Sequence, residues 1–144
     1  MINIPLRVRN LIKRSGTANP VRICSEFKIE IMYCKTPKKI NGFWRRFNRR
    51  KYIGVNDTLE EEWQSQAVIA HELAHILLHP GYTSYSMTGI VYYSCTRYEN
   101  EADEFAAELI AHAYGIEKEY VLDFLKYGYK VKRHGNSRVL SYIR

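Results

Sequence analysis

The chain has 144 residues, enough for one compact domain with one core, and its hydrophobic content of 46% argues against a disordered tail. No run approaches the roughly 20 apolar residues that span a bilayer, and no apolar stretch follows a basic start, so neither a membrane span nor a secretory leader is expected. The net charge of +7 is segregated: residues 1–56 carry a balance of +12, residues 57–123 one of −11, and the last 21 residues add six bases and no acid. That pattern reads first as a solvated basic face offsetting an acidic half, with nucleic acid or an acidic protein as the sharper alternatives. Cys24, Cys34 and Cys95 are odd in number and far apart, against both a disulfide framework and a cysteine metal site, and in keeping with a reducing cytoplasm.

In chain order, residues 5–14 predict a short basic helix ended by Ser15-Gly16. Asn19 then caps a helix that opens on Pro20 and runs to about Lys28, with Val21, Cys24 and Phe27 inward. Ile29–Cys34 reads as a strand, and Ile40–Phe47 and Lys51–Asn56 as two more, joined by the turn Asn48-Arg49-Arg50. A long helix is expected from Asp57 or Thr58, helped by Glu60, Glu61 and Glu62 at its positive end, and is stopped by Pro80-Gly81. After a Tyr/Ser/Thr-rich connector comes a helix from about Arg97 to Tyr114, broken by Gly115, and a shorter one over about Glu117–Tyr127. The basic tail from Gly128 has no clear assignment. The whole reads as one unit, 1–144, with a motif-bearing core over about 16–127 and a tail at 128–144.

The long helix carries His71-Glu72-Leu73-Ala74-His75, an H-E-x-x-H arrangement. Four residues apart on a helix, His71 and His75 share a face and can bind one cation, with Glu72 placed to take a proton from water. From Ala67 to Leu78 nearly every other residue is apolar, so the segment is expected to be buried all round. Two imidazoles and a carboxylate are costly there unless something satisfies them, and a divalent cation does so at once. His79 lies a further turn along and reads as a cap at the helix end. Leu78 and Gly81 stand where the astacin-like extension of the motif would need Gly and His.

Catalytic zinc usually keeps three protein ligands and one open position. On the helix from Arg97, Ala102, Ala106, Leu109, Ile110 and Ala113 define an apolar face. Glu99 falls about 50° from its centre, whereas Glu101, Glu104 and Glu108 fall more than about 100° away and read as a solvated stripe. Glu99 is thus the expected third ligand. Asp103, one turn on, is placed to accept from the outer N–H of His71 or His75.

With H-E-L-A-H-I-L-L-H-P followed by E-N-E-A-D-E-F-A-A-E-L, the chain resembles the ImmA/IrrE family of metallopeptidases, found in phages, mobile elements and bacterial regulatory loci. Gly16-Thr17-Ala18-Asn19-Pro20, Asn41-Gly42 and Gly54-Val55-Asn56 agree, so the likeness spans residues 16 to about 114. It implies an α+β, zincin-like domain: a small mixed or antiparallel sheet packed on the H-E-x-x-H helix, with further C-terminal helices. It also implies a zinc endopeptidase that cuts a transcriptional repressor, with Zn2+ on His71, His75 and Glu99 and Glu72 as catalytic acid/base. Ala74 departs from the commoner Gly, and Ile110-Ala111-His112 from a Leu-Met-Pro-like ending.

Tyr93, Tyr98, His112 and Tyr114 are unranked candidates for an extra donor to the tetrahedral oxyanion. Lys51–Asn56 is the expected sheet edge for an extended substrate, with Arg45, Arg46, Arg49 and Arg50 favouring acidic residues in it. The competing class is a non-proteolytic, zinc-stabilised regulator that sequesters a repressor or other partner. Direct nucleic-acid binding is disfavoured: Phe43, Trp44 and Phe47 interleave with arginines, but no recognition helix accompanies them.

Overall fold

A computed structural model describes residues 2–37, 40–82 and 95–127, together with the backbone of two strands at 131–134 and 139–142. The first helix, α1 (Ile4–Ser15), starts where the Asn3 side chain accepts from the Leu6 N–H at 3.1 Å. It ends at Gly16, whose φ of 74° lets its N–H reach back to Ile12. Ile4, Val8 and Leu11 form its buried stripe, at the spacing one helix face requires. The second, α2 (Pro20–Glu26), is capped by Asn19 through Arg22 N–H as expected, but stops two residues early; Pro20, Ile23 and Cys24 are its buried residues, while Val21 and Phe27 are half-buried. Lys28, at φ 58°, turns the chain into β1 (Ile29–Cys34).

The sheet is mixed and three-stranded, in the order β1–β3–β2. The strand β2 (Gly42–Phe47) runs antiparallel to β3 (Arg50–Asn56) across the two-residue turn Asn48-Arg49, both at positive φ as a tight hairpin of matching twist demands. The strand β1 lies parallel to β3 on the other side. The expectation that 51–56 forms a sheet edge is therefore wrong. A parallel partner joined through a distant connection leaves no local sequence signal, whereas the hairpin does. Trp44, Ile53 and Val55 are buried in the core.

The central helix, α3 (Glu62–Leu78), packs against β2 and β3 and against α4 (Thr96–Tyr114). It starts later than Asp57 or Thr58. The Asn56 side chain accepts from both the N–H and the hydroxyl of Thr58, at 3.0 and 2.8 Å, and this local turn competes with helix formation. Gln64 then accepts from the Glu61 N–H at 3.2 Å, closing the reciprocal cap at the helix start. From Ala67 to Ile76 every residue except His71 is buried. Gly115 ends α4 at φ 68°, and α5 (Lys118–Tyr127) packs on α4 and α3, burying Val121 and Phe124, with Phe124 edge-on to Trp63 of α3. In the tail, β4 (Val131–His134) and β5 (Val139–Tyr142) pair antiparallel. No helix among the described residues is long and apolar enough to cross a membrane.

Gly42 sets how closely the sheet approaches α3. A Cβ there would stand 2.3 Å from Val68 Cγ1 and 3.1 Å from the Gly54 carbonyl, so β2 can lie across the helix only because this residue has no side chain. Gly42→Ala should lower the stability to chemical denaturation by about 1–3 kcal/mol, the usual cost of overpacking a core. An unchanged denaturation midpoint would show that the strand can shift without loss.

Candidate metal centre

The middle of α3 and the first turn of α4 bring His71, His75 and Glu99 together, with their ligating atoms all within 4.8 Å of one another. Nε2 of His71 lies 3.2 Å from Nε2 of His75 and 3.2 Å from Oε1 of Glu99. Oε2 of Glu99 lies 3.1 Å from Nε2 of His75. Three electron-rich atoms at such separations need a proton or a cation between them. A tetrahedral cation with ligands at roughly 2.0–2.1 Å would hold them about 3.3 Å apart, close to the spacing seen, and two imidazoles with one carboxylate are a donor set that suits zinc. The residues present therefore fit a metal ion.

Around these donors lie groups that fix them. Asp103 Oδ1 stands 2.9 Å from Nδ1 of His71, at contact distance though off the ring's donor direction. The Tyr82 hydroxyl donates to Glu99 Oε2 at 3.0 Å and itself accepts from the Cys95 N–H at 2.9 Å. Glu72 is buried beside the donors, with Oε2 4.0 Å from His71 Nε2 and, among the described residues, Oε1 buried without a partner. Such an orphan acceptor is uncommon in a folded protein and calls for an explanation.

Electrostatics follow from this packing. Burial raises the Glu72 carboxyl to about 7, against the opposing pull of the neighbouring His71. Burial alone would lower His71, but the Asp103 and Glu99 carboxylates outweigh it and lift the ring to about 10. His75 and His79 move the other way: burial lowers both and favours their neutral forms. Glu99, despite partial burial, is held well below the usual carboxylate range by the two imidazoles.

One sequence expectation is met and another corrected. His79 sits at the C-cap of α3, where its N–H bonds the His75 carbonyl, and its side chain is also buried and engaged. Its Nδ1 lies 3.1 Å from Nδ1 of His75, and its Nε2 lies 2.7 Å from Glu101 Oε1. The acidic stripe of α4 is not solvated, since only Glu104 of the three is exposed. Glu101 pairs with His79, and the buried Glu108 accepts from Lys118 at 2.6 Å. Helix α4 is covered on two sides, so distance from the apolar centre did not mean solvent. Tyr82 was missed as well; nothing in the residues after Pro80-Gly81 marks it.

Of the donor candidates, Tyr98 stacks on His79 at 4.1 Å between ring centroids, and Tyr114 donates to Glu62 at 2.7 Å. Glu62 precedes His71 by nine residues, about 13 Å along the helix. His112 is exposed, and Tyr93 lies outside the described residues.

Residues 24–134 match the family model Peptidase_M78, described as the IrrE N-terminal-like domain. The chain is 35% identical over 107 residues to Uncharacterized immunity region protein 2 of Bacillus phage phi105, covering 74% of this chain and 67% of that protein. It is 31% identical over 106 residues to Metallopeptidase ImmA of Bacillus subtilis (strain 168), covering 72% and 60%. No solved structure matches it. The chain belongs to the Peptidase_M78 family of IrrE N-terminal-like domains.

A nitrogen that binds a metal must be bare, and the Asp103 and Glu99 carboxylates favour the protonated His71 ring, so a cation held there at neutral pH would displace a proton. Glu99 is already ionised there and releases none. Zinc titrated into metal-free protein at pH 7.5 should release about one proton per ion, and apparent affinity should rise with pH. Calorimetry in buffers of different ionisation enthalpy reads this directly, and uptake with no proton release would contradict it.

Proposed function

From this family membership and the donor set we propose that the chain is a zinc-dependent endopeptidase on a zincin-like fold. Its substrate would be a transcriptional repressor or another regulatory protein in the cytoplasm. His71, His75 and Glu99 hold the cation, Asp103 orients His71, and Glu72 is the general base. The supporting observation is the buried, unpartnered Oε1 of Glu72 beside the three converging donors. A purely structural metal site has no use for a desolvated spare carboxylate, whereas hydrolysis needs one.

When bound, the cation supplies Lewis acidity, polarising the peptide carbonyl and making water a nucleophile near neutral pH. The protein's own residues do the rest. Glu72, whose proton affinity burial has raised to about 7, takes a proton from the attacking water and passes it to the leaving amine. Tyr82 and the Cys95 N–H behind it hold the Glu99 carboxylate in place against His75. Asp103 does the same for the His71 ring.

The free edge for an extended substrate is β2, not β3. Among the described residues β2 pairs only with β3, and a Cβ on its first residue, Gly42, would stand 3.7 Å from Glu72 Cγ. A peptide adding to that edge would have its backbone carried past the carboxylate. Arg45, Arg46 and Arg49 are exposed on or next to this strand and would favour acidic residues in the substrate. The name of the phage relative, an immunity region protein, supports this reading.

Glu72→Gln should retain zinc and lower cleavage by at least about 100-fold, the low end for loss of a general base. Co-expression with a repressor encoded beside the gene, wild type against the variant, reads this as a shortened repressor fragment. If the variant still produces that fragment, Glu72 is not the base. If it produces none yet still relieves repression, the protein acts by sequestering its partner.

A further inference from the structure

We infer that His79 is a positioning residue of the metal centre, which together with Glu101 forms a hydrogen-bonded relay that sets the tautomer of His75. The inference rests on the reading of His75 as a metal ligand and goes beyond it. Four atoms carry the argument. Glu101 Oε1 lies 2.7 Å from His79 Nε2, and His79 Nδ1 lies 3.1 Å from His75 Nδ1. The far nitrogen of His75, Nε2, is the one that faces Glu99 and His71.

The two facing Nδ1 atoms can share only one proton. Two bare nitrogens would repel, and so would two N–H groups, so one ring donates and the other accepts. A carboxylate only accepts, so Glu101 requires a proton on His79 Nε2. In the neutral ring this leaves His79 Nδ1 bare, and His75 must then carry its own proton on Nδ1. Its Nε2 lone pair is thereby left free and aimed at the other two donors. The protonation pattern at Glu101 thus propagates through two rings to the ligating atom.

Packing locks the relay in place. His79 is 3% exposed and His75 fully buried, so water does not compete for either nitrogen. Tyr98 stacks on the His79 ring at an interplanar angle of 16°, and Tyr82 meets it edge-on at 84°. Tyr98 and Glu101 stand three apart on α4, on one side of that helix, and together they grip the imidazole. The two ligand histidines are therefore held differently. His71 meets its carboxylate, Asp103, at 2.9 Å, while His75 reaches Glu101 only through a second imidazole.

Long-range proton–nitrogen correlation spectra of the zinc-loaded wild-type protein should show His79 protonated at Nε2 and His75 at Nδ1. His79→Phe should weaken zinc binding by about 10–100-fold, the range for loss of an outer-sphere partner, read by competition with a chromophoric chelator. His79→Asn puts a carboxamide oxygen where Nδ1 stood and should recover most of that affinity. A His79 ring protonated at Nδ1 overturns the relay. So does a His79→Phe variant with wild-type affinity when His75→Ala has lost it, while the metal centre itself stands. A wild-type protein that takes up no zinc overturns both. The spectra need no substitution, so they decide the matter even if His79→Phe does not fold.

Discussion

Everything distinctive about this molecule follows from one costly arrangement: two imidazoles and three carboxylates packed, buried or half-buried, between α3 and the first turns of α4. His75 is fully buried, Glu72 and Asp103 nearly so, and the nitrogen and oxygen atoms of His71, His75 and Glu99 face one another across 3.1–3.2 Å. An apolar helix interior does not tolerate such groups unpaired. Most of them have partners: Tyr82 on Glu99, His79 with Glu101 behind His75, and Asp103 at contact distance from His71. Among the described residues, Nδ1 of His71 and one oxygen of Glu72 are buried without a well-aligned hydrogen bond.

Close backbone approach makes the arrangement possible. Helices α3 and α4 pack together, and both bury small side chains: Ala67, Ala70 and Ala74 on α3, and Ala102, Ala106 and Ala107 on α4. Gly42 plays the same part on the sheet side, bringing the edge strand β2 against α3 beside Glu72. Charge is sorted to match. Part of the acidic surplus of residues 57–123 is consumed inside, by Glu72, Asp103 and Glu108. The arginines of β2 and its turn remain exposed.

Much of this was legible in the residues. The four-residue spacing of His71 and His75 on an apolar helix, and the position of Glu99 on the next, follow from helical geometry alone, and the structure brings the three together. Helix limits set by Gly16, Asn19 and Gly115 were also readable, because caps are local chemistry. What escaped depends on contacts far apart in sequence. The place of β3 between β1 and β2 needs the parallel pairing with Ile29–Cys34, which has no turn to announce it. The engagement of Glu101 depends on which side of α4 meets the end of α3. Tyr82 reaches Glu99, 17 positions further along the chain.

The central claim, that imidazoles from one turn of α3 and an acid from α4 share a single cation, is met most directly by zinc-edge X-ray absorption on the zinc-loaded protein. The account predicts nitrogen and oxygen neighbours alone at about 2.0–2.1 Å, with the outer-shell signature of two imidazoles and the loss of one light ligand in Glu99→Ala. A sulfur neighbour at about 2.3 Å, or a spectrum that Glu99→Ala leaves unaltered, would contradict it.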